Sequence, residues 1–134
     1  GSKIQTPFLE VNGPVKVLSL NVGKGVIRGV ANLKDAHITN ELTVYGFLSA
    51  QESTFKKLIH VFSSEIYLKD SQVQAIVLEK DSLSSDKSPR IYLLGSTHVF
   101  GDIEFKGKNG IVEAGPAAKV DGKVINGILQ NKIQ

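Results

Sequence analysis

The sequence predicts an all-β chain: a single-domain parallel β-helix, or solenoid, of about six to seven three-faced coils. Three observations predict it. A short element recurs at nearly constant spacing, apolar residues alternate at period two through it, and Val, Ile and Gly dominate where a helix would favour Leu, Ala and Glu.

The element is a hydrophobic residue, any residue, a small one, any residue, and a second hydrophobic one. It reads Val11-Asn12-Gly13-Pro14-Val15, Ile27-Arg28-Gly29-Val30-Ala31, Val44-Tyr45-Gly46-Phe47-Leu48, Val99-Phe100-Gly101-Asp102-Ile103 and Val120-Asp121-Gly122-Lys123-Val124. Two degenerate copies fill the gap. Val61-Phe62-Ser63-Ser64-Glu65-Ile66 carries one extra residue, and Leu78-Glu79-Lys80-Asp81-Ser82-Leu83 also loses the small one. The first positions, 11, 27, 44, 61, 78, 99 and 120, are separated by 16, 17, 17, 17, 21 and 21 residues.

A second apolar position follows at Val17, Leu33, Ala50, Leu68 and Phe105, and a third at Val22, Ile38, Phe55 and Val73. Each period therefore splits into three short segments, each starting with an inward apolar side chain. One such coil cannot bury its apolar residues alone. Coils stacked about 4.8 Å apart bury them continuously and pair their backbones as parallel strands.

The register fixes which side chains face water. With the first, third and fifth motif positions inward, the core receives Val, Gly and Ile. The opposite choice would bury Arg28, Glu79, Asp102, Asp121 and Lys123, each at a cost of several kcal/mol unless paired. A small residue at the inward third position is expected to leave room near the axis. One stretch, Glu52 to Val61, competes as a helix through Phe55, Leu58, Ile59 and Phe62, but it aligns with its neighbours as strand.

The repeat is interrupted twice. Residues 81–90, polar and ending in Ser88-Pro89-Arg90, read as a loop inserted at one corner, and Lys106 to Gly110 contains the turn signal Asn109-Gly110, with a further bend at Ala114-Gly115-Pro116. Residues 1–10 read as a lead-in and 11–134 as the β-helix domain. The Gly1-Ser2 start and the absence of Met read as a vector scar, which leaves room for a signal peptide or anchor upstream.

Composition narrows the function classes. The chain has 134 residues, 41% hydrophobic and 22% charged, as one soluble domain would. Its net charge of +3 comes from 16 basic residues scattered among 13 acidic ones, a solvated surface that predicts no nucleic-acid partner. The lack of Cys excludes disulfides and thiolate metal sites, and leaves the compartment open. No apolar run approaches the length of a membrane span.

Aligned coils make the outward columns legible. Asp35, Glu52, Asp70 and Asp86 form a possible carboxylate column, which reads as a solvated turn beside Lys34, Lys69 and Lys87 in preference to a cation ladder. Tyr45, Phe47, Phe62 and Phe100 read as an exposed aromatic face, a candidate partner surface for a protein or a glycan. His37, His60 and His98 fall at different coil positions and gather no metal site. No Gly-x-Ser-x-Gly elbow or phosphate loop occurs, and Gly23-Lys24-Gly25 is a simple basic turn. The reading assigns no catalytic residue, no cofactor and no metal.

At its repeated motifs the chain resembles the bactofilins, bacterial polymer-forming cytoskeletal proteins whose β-helical core carries similar Val-x-Gly-x-Ile elements. The likeness is greatest from Val99-Phe-Gly-Asp-Ile103 to Val120-Asp-Gly-Lys-Val-Ile-Asn-Gly127. The resemblance implies a bacterial, right-handed β-helix that assembles end to end and serves as a non-enzymatic scaffold. It implies a place at the membrane or cell envelope, on the cytoplasmic face or exported, with membrane association through segments outside this sequence. Self-association would use the last coil, where Val124, Ile128 and Leu129 and unpaired strand edges are exposed. The alternative is an exported or envelope binding module using the aromatic face. An enzyme of the hexapeptide acyltransferase or polysaccharide-cleaving β-helix kind fits least, because the spacing is uneven and no acidic and basic groove is legible.

Overall fold

The computed structural model describes residues 3–79 and 88–131, and every regular element among them is a strand. They wind into seven coils. The first comprises β1 (Lys3–Asn12) and β2 (Val15–Val17), the second β3 (Ser19–Arg28) and β4 (Ala31–Lys34), and the third β5 (Ala36–Ile38), β6 (Leu42–Val44) and β7 (Leu48–Gln51). The fourth comprises β8 (Thr54–Phe62) and β9 (Glu65–Lys69), and the fifth β10 (Gln72–Glu79) and β11 (Arg90–Leu94). The sixth comprises β12 (His98–Val99), β13 (Ile103–Lys106) and β14 (Gly110–Ala114), and the seventh β15 (Lys119–Val120), β16 (Val124–Ile125) and β17 (Gly127–Asn131).

All the strand pairs are parallel, so each coil lies on the one before it. Three faces result. The first and second share a ten-stranded network because β1, β3, β8 and β10 run through both, and the third is a seven-stranded sheet in the order β17-β14-β11-β9-β7-β4-β2. The stretch proposed as a competing helix is β8. β1 pairs with β3 from Lys3 onward, so coiling begins ahead of the first motif at Val11.

Period-two alternation sends alternate side chains inward, and the strands bury them in that pattern: Ala31 and Leu33 within β4, Ile66 and Leu68 within β9, Ile91 and Leu93 within β11. Stacked, they form continuous columns. Val11, Ile27, Val44, Val61 and Leu78 occupy one, in the register expected. Val17, Leu33, Ala50 and Leu68 form a second and Val22, Ile38, Phe55 and Val73 a third. Phe55 and Phe105 are the largest fully buried side chains of the resulting core.

The last two motif copies do not continue the first column. Leu78 is followed by Phe105, whereas Val99 and Val120 lie over Val73 on the first face. Val-x-Gly-x-Val thus serves two different corners. Gly13, Gly29 and Gly46 turn the chain from the second face to the third, and Gly101 and Gly122 turn it from the first to the second. Phe105 likewise leaves the column of Val17 and Leu68 for that of Leu78.

The small third position also has a different cause from the one expected. Gly13, Gly29 and Gly46 are at the corner, not in the core, and have φ of +124°, +149° and +153°. Backbone conformation and close stacking of successive corners select glycine there, not space at the axis. Of the loop expected at 81–90, residues 81–87 lie outside the described residues. Ser88 and Pro89 lead into β11, which already includes Arg90.

Candidate functional site

The corner between the third and first faces carries the carboxylate column. Asp35, Glu52 and Asp70 have φ of +57°, +52° and +50°, and Gly95 follows them in the next coil at +60°. Their backbone N–H groups donate to Gln51, Lys69 and Leu94 carbonyls of the following coil. A left-handed turn explains the column, since Asp tolerates that region better than most residues. Their side chains also diverge: Asp35 faces His37 at 3.3 Å, Glu52 faces Lys34 at 3.9 Å, and Asp70 accepts from the Ser96 N–H at 2.9 Å. Asp86 lies outside the described residues.

Just inside that corner is a feature the sequence reading missed. Ser53, Ser71 and Thr97 are buried in a hydroxyl ladder. The N–H groups of Ala36, Ser53 and Ser71 donate to Ser53 Oγ, Ser71 Oγ and Thr97 Oγ1 at 3.1, 3.2 and 3.3 Å. The hydroxyls in turn donate to the carbonyls of Gln51, Lys69 and Leu94. The available signal was a small hydroxyl residue three positions after Ala50 and Leu68, where the earlier coils have Leu20 and Ala36.

The aromatic residues form two stacks instead of one face. On the second face Tyr45 and Phe62 are parallel, with centroids 4.7 Å apart and planes 8° apart. Arg28 sits 5.9 Å from the Tyr45 centroid, and His60 packs against Phe62. On the third face Phe47 meets Tyr67 at 5.4 Å, and Tyr67 stacks on Tyr92 at 4.4 Å and 9°. Tyr67 and Tyr92 were not anticipated, although both occupy the outward position between two buried residues of β9 and β11. Phe100 belongs to neither stack. It sits at the other corner, after Val99, and packs on His98 with centroids 3.9 Å apart.

Tyr67 has a displaced titration. Partial burial, then the neighbouring Glu65 carboxylate, hold its hydroxyl above the ordinary tyrosine value. The hydroxyl donates to Glu65 Oε2 at 3.3 Å.

The histidines each face a carboxylate: His37 with Asp35, His60 with Glu79 at 3.1 Å, and His98 with Asp121 at 2.8 Å. His37 and His98 do share an outward column, contrary to expectation, but Thr54 and Gln72 of two intervening coils separate them. Among the described residues no three His, Cys, Asp or Glu side chains gather where they could hold a metal.

At the last coil, Val124 and Leu129 continue core columns over Ile103 and Val112, and Leu129 is 44% exposed. Ile128 is 55% exposed but continues the outward column of Arg90 and Ile111, so it belongs to the lateral third face. At the other end Ile4, Leu9 and Val11 pack on the core while only partly buried, and Phe8 is exposed. β1 pairs only with β3 and β17 only with β14, leaving an open strand edge at each end among the described residues.

Compared with family models, curated proteins and solved structures, the chain matches none. The likeness to the bactofilins therefore rests on the Val-x-Gly-x-Val motif. Since that motif serves two different corners here, it reports a turn between stacked strands.

Proposed function

We propose that the chain is a non-enzymatic scaffold that self-associates through its terminal coils, in the manner of the bactofilins. The observation that carries the proposal is the state of the two ends. Each presents an unpaired parallel strand edge beside core columns left partly uncovered: Ile4, Leu9 and Val11 at one end, Val124 and Leu129 at the other. Such edges are templates for another chain, and apolar columns continued across the junction would be removed from water.

Sedimentation velocity and negative-stain electron microscopy across a concentration range test this. The expected result is elongated assemblies that grow with concentration and are lost in Leu129→Lys, with the β circular dichroism of that variant unchanged. A parent protein that stays monomeric at every concentration overturns the reading.

A second reading is favoured by the exposure of Tyr45, stacked between Arg28 and Phe62 on a lateral face clear of both ends. Parallel stacking covers ring faces and presents ring edges and a guanidinium outward. That suits side chains of a protein partner better than a sugar, which packs against a ring face. A Tyr45→Ala, Phe62→Ala double variant that retains every partner of the parent would sink this reading.

A further inference from the structure

Three asparagines precede a glycine, at Asn12-Gly13, Asn109-Gly110 and Asn126-Gly127. Such a step is prone to cyclise, because glycine puts no side chain between its amide nitrogen and the asparagine Cγ and leaves the backbone free to rotate. All three asparagines are exposed, so access to their side chains does not separate them. What separates them is the glycine nitrogen, which is the attacking atom.

Two of the nitrogens are engaged. The Gly13 N–H donates to the Arg28 carbonyl of the next coil at 2.8 Å, and the Gly110 N–H donates to the Asn126 carbonyl at 3.0 Å. Gly110 is also buried, and Asn12 Oδ1 is held by Arg28 Nη1 at 3.2 Å. Gly127 differs. In a trans peptide the C=O and the following N–H point in opposite directions, so with the Asn126 C=O aimed at Gly110 the Gly127 N–H points away from the sixth coil. β17 pairs with β14 alone, which leaves that N–H on the open edge with no hydrogen bond among the described residues.

The restraints on Asn126 are few and all on one side. Its Nδ2 donates to the Phe105 carbonyl at 3.2 Å, and its C=O accepts from Gly110. Both bonds run to the sixth coil, so releasing them lifts one edge strand and separates no inner coils. Opening of this kind is the least costly that a stacked fold has. To free Gly13 instead, the corner on which Gly29 stacks must part. The Asn126 backbone, at φ +59°, is also one that aspartate occupies at Asp35 and Asp70.

We propose that Asn126 is a self-modification site that deamidates in the folded protein ahead of the other two Asn-Gly steps. The Gly127 nitrogen, losing its proton to hydroxide, bonds to Asn126 Cγ; the Cγ–Nδ2 bond breaks and Nδ2 leaves as ammonia. Water then opens the five-membered imide at either carbonyl, giving aspartate or isoaspartate. Either product removes the Nδ2 donor to Phe105 and adds a negative charge to the last coil. Isoaspartate also lengthens the main chain by one carbon just ahead of β17, which shifts Leu129 from its place over Val112. The reaction is intramolecular and does not rest on the scaffold reading.

The test is incubation of the parent protein at mildly alkaline pH, followed by proteolysis, peptide mass spectrometry and labelling with isoaspartyl methyltransferase. It is run at the lowest concentration of the sedimentation series, where the ends are free whether or not they associate. The Asn126 peptide is expected to gain the mass of deamidation about tenfold or more faster than the Asn12 and Asn109 peptides. In urea, with the coils unwound, the three rates should converge, which assigns the difference to the fold. Equal rates in the folded protein overturn the proposal, as does a lead by Asn12 or Asn109, or an Asn126 that stays intact while the urea-unfolded chain reacts.

Discussion

A Cβ added to Gly29 would stand 2.6 Å from the carbonyl oxygen of Gly13, the corner residue of the preceding coil. Gly46 repeats the relationship over Gly29 at the same distance. Backbone stacking this close tolerates no side chain, and the φ of +153° at Gly46 is one that L residues avoid.

Gly46→Ala should therefore lose more than about 2 kcal/mol, since a steric clash with backbone adds to dihedral strain. Gly107→Ala isolates the second effect. Its φ is +94° but nothing lies within 4 Å of the added Cβ, so about 1 kcal/mol is expected. Urea midpoints of the two variants measure the difference, and equal losses would show that stacking at the corner contributes nothing.

Ser71→Ala should cost about 1–3 kcal/mol, because it leaves the buried Ser53 N–H without the hydroxyl it donates to at 3.2 Å. The Lys69 carbonyl also loses the Ser71 hydroxyl and keeps only the Glu52 N–H of its two donors. Ser71→Thr keeps the hydroxyl, as Thr97 does one coil on, and should recover most of the loss. Denaturant unfolding of the three proteins decides it, a neutral Ser71→Ala being the contrary result.

Period-two alternation made the solenoid and three core columns legible, because burial of one side chain in two is imposed on every strand, as in Ile66 and Leu68. The register of the sixth and seventh coils was not. Val99-Phe-Gly-Asp-Ile and Val11-Asn-Gly-Pro-Val satisfy the same requirement, apolar residues flanking a tight corner, and nothing in the motif says which corner. Phe100 was placed with Tyr45 for that reason, and Tyr92 went unnoticed because β11 carries no glycine motif to align it. The hydroxyl ladder needed coordinates, since a serine beside an apolar column reads equally well as surface.

Tyr45 and Phe62 should couple in a double-mutant cycle. Parallel rings at 4.7 Å contribute about 0.5–1.5 kcal/mol beyond their area, which the two single alanine variants and the double variant would reveal as non-additivity. Phe100→Ala combined with Tyr45→Ala serves as the comparison and should be additive, the two residues being on different corners. Coupling of equal size in both cycles would mean that the stack is not its source.

Tyr67 gives the fold a dependence on alkaline pH. Its hydroxyl titrates above the ordinary tyrosine value, chiefly through burial and then through Glu65, so between about pH 10 and the raised value the unfolded chain has released a proton that the native one still holds. The unfolded state then binds fewer protons, and stability must fall as pH rises. Below the unfolded value the group is protonated in both states, and its contribution is fully present. The informative quantity is the difference between parent and Tyr67→Phe. That difference should be flat to about pH 9 and decline above about pH 10. Glu65→Gln separates the causes: it removes the charge and leaves the burial, so tyrosinate absorbance should still show a raised Tyr67, closer to the ordinary value than in the parent. A return to the ordinary value in Glu65→Gln would make the carboxylate, and not burial, the dominant cause.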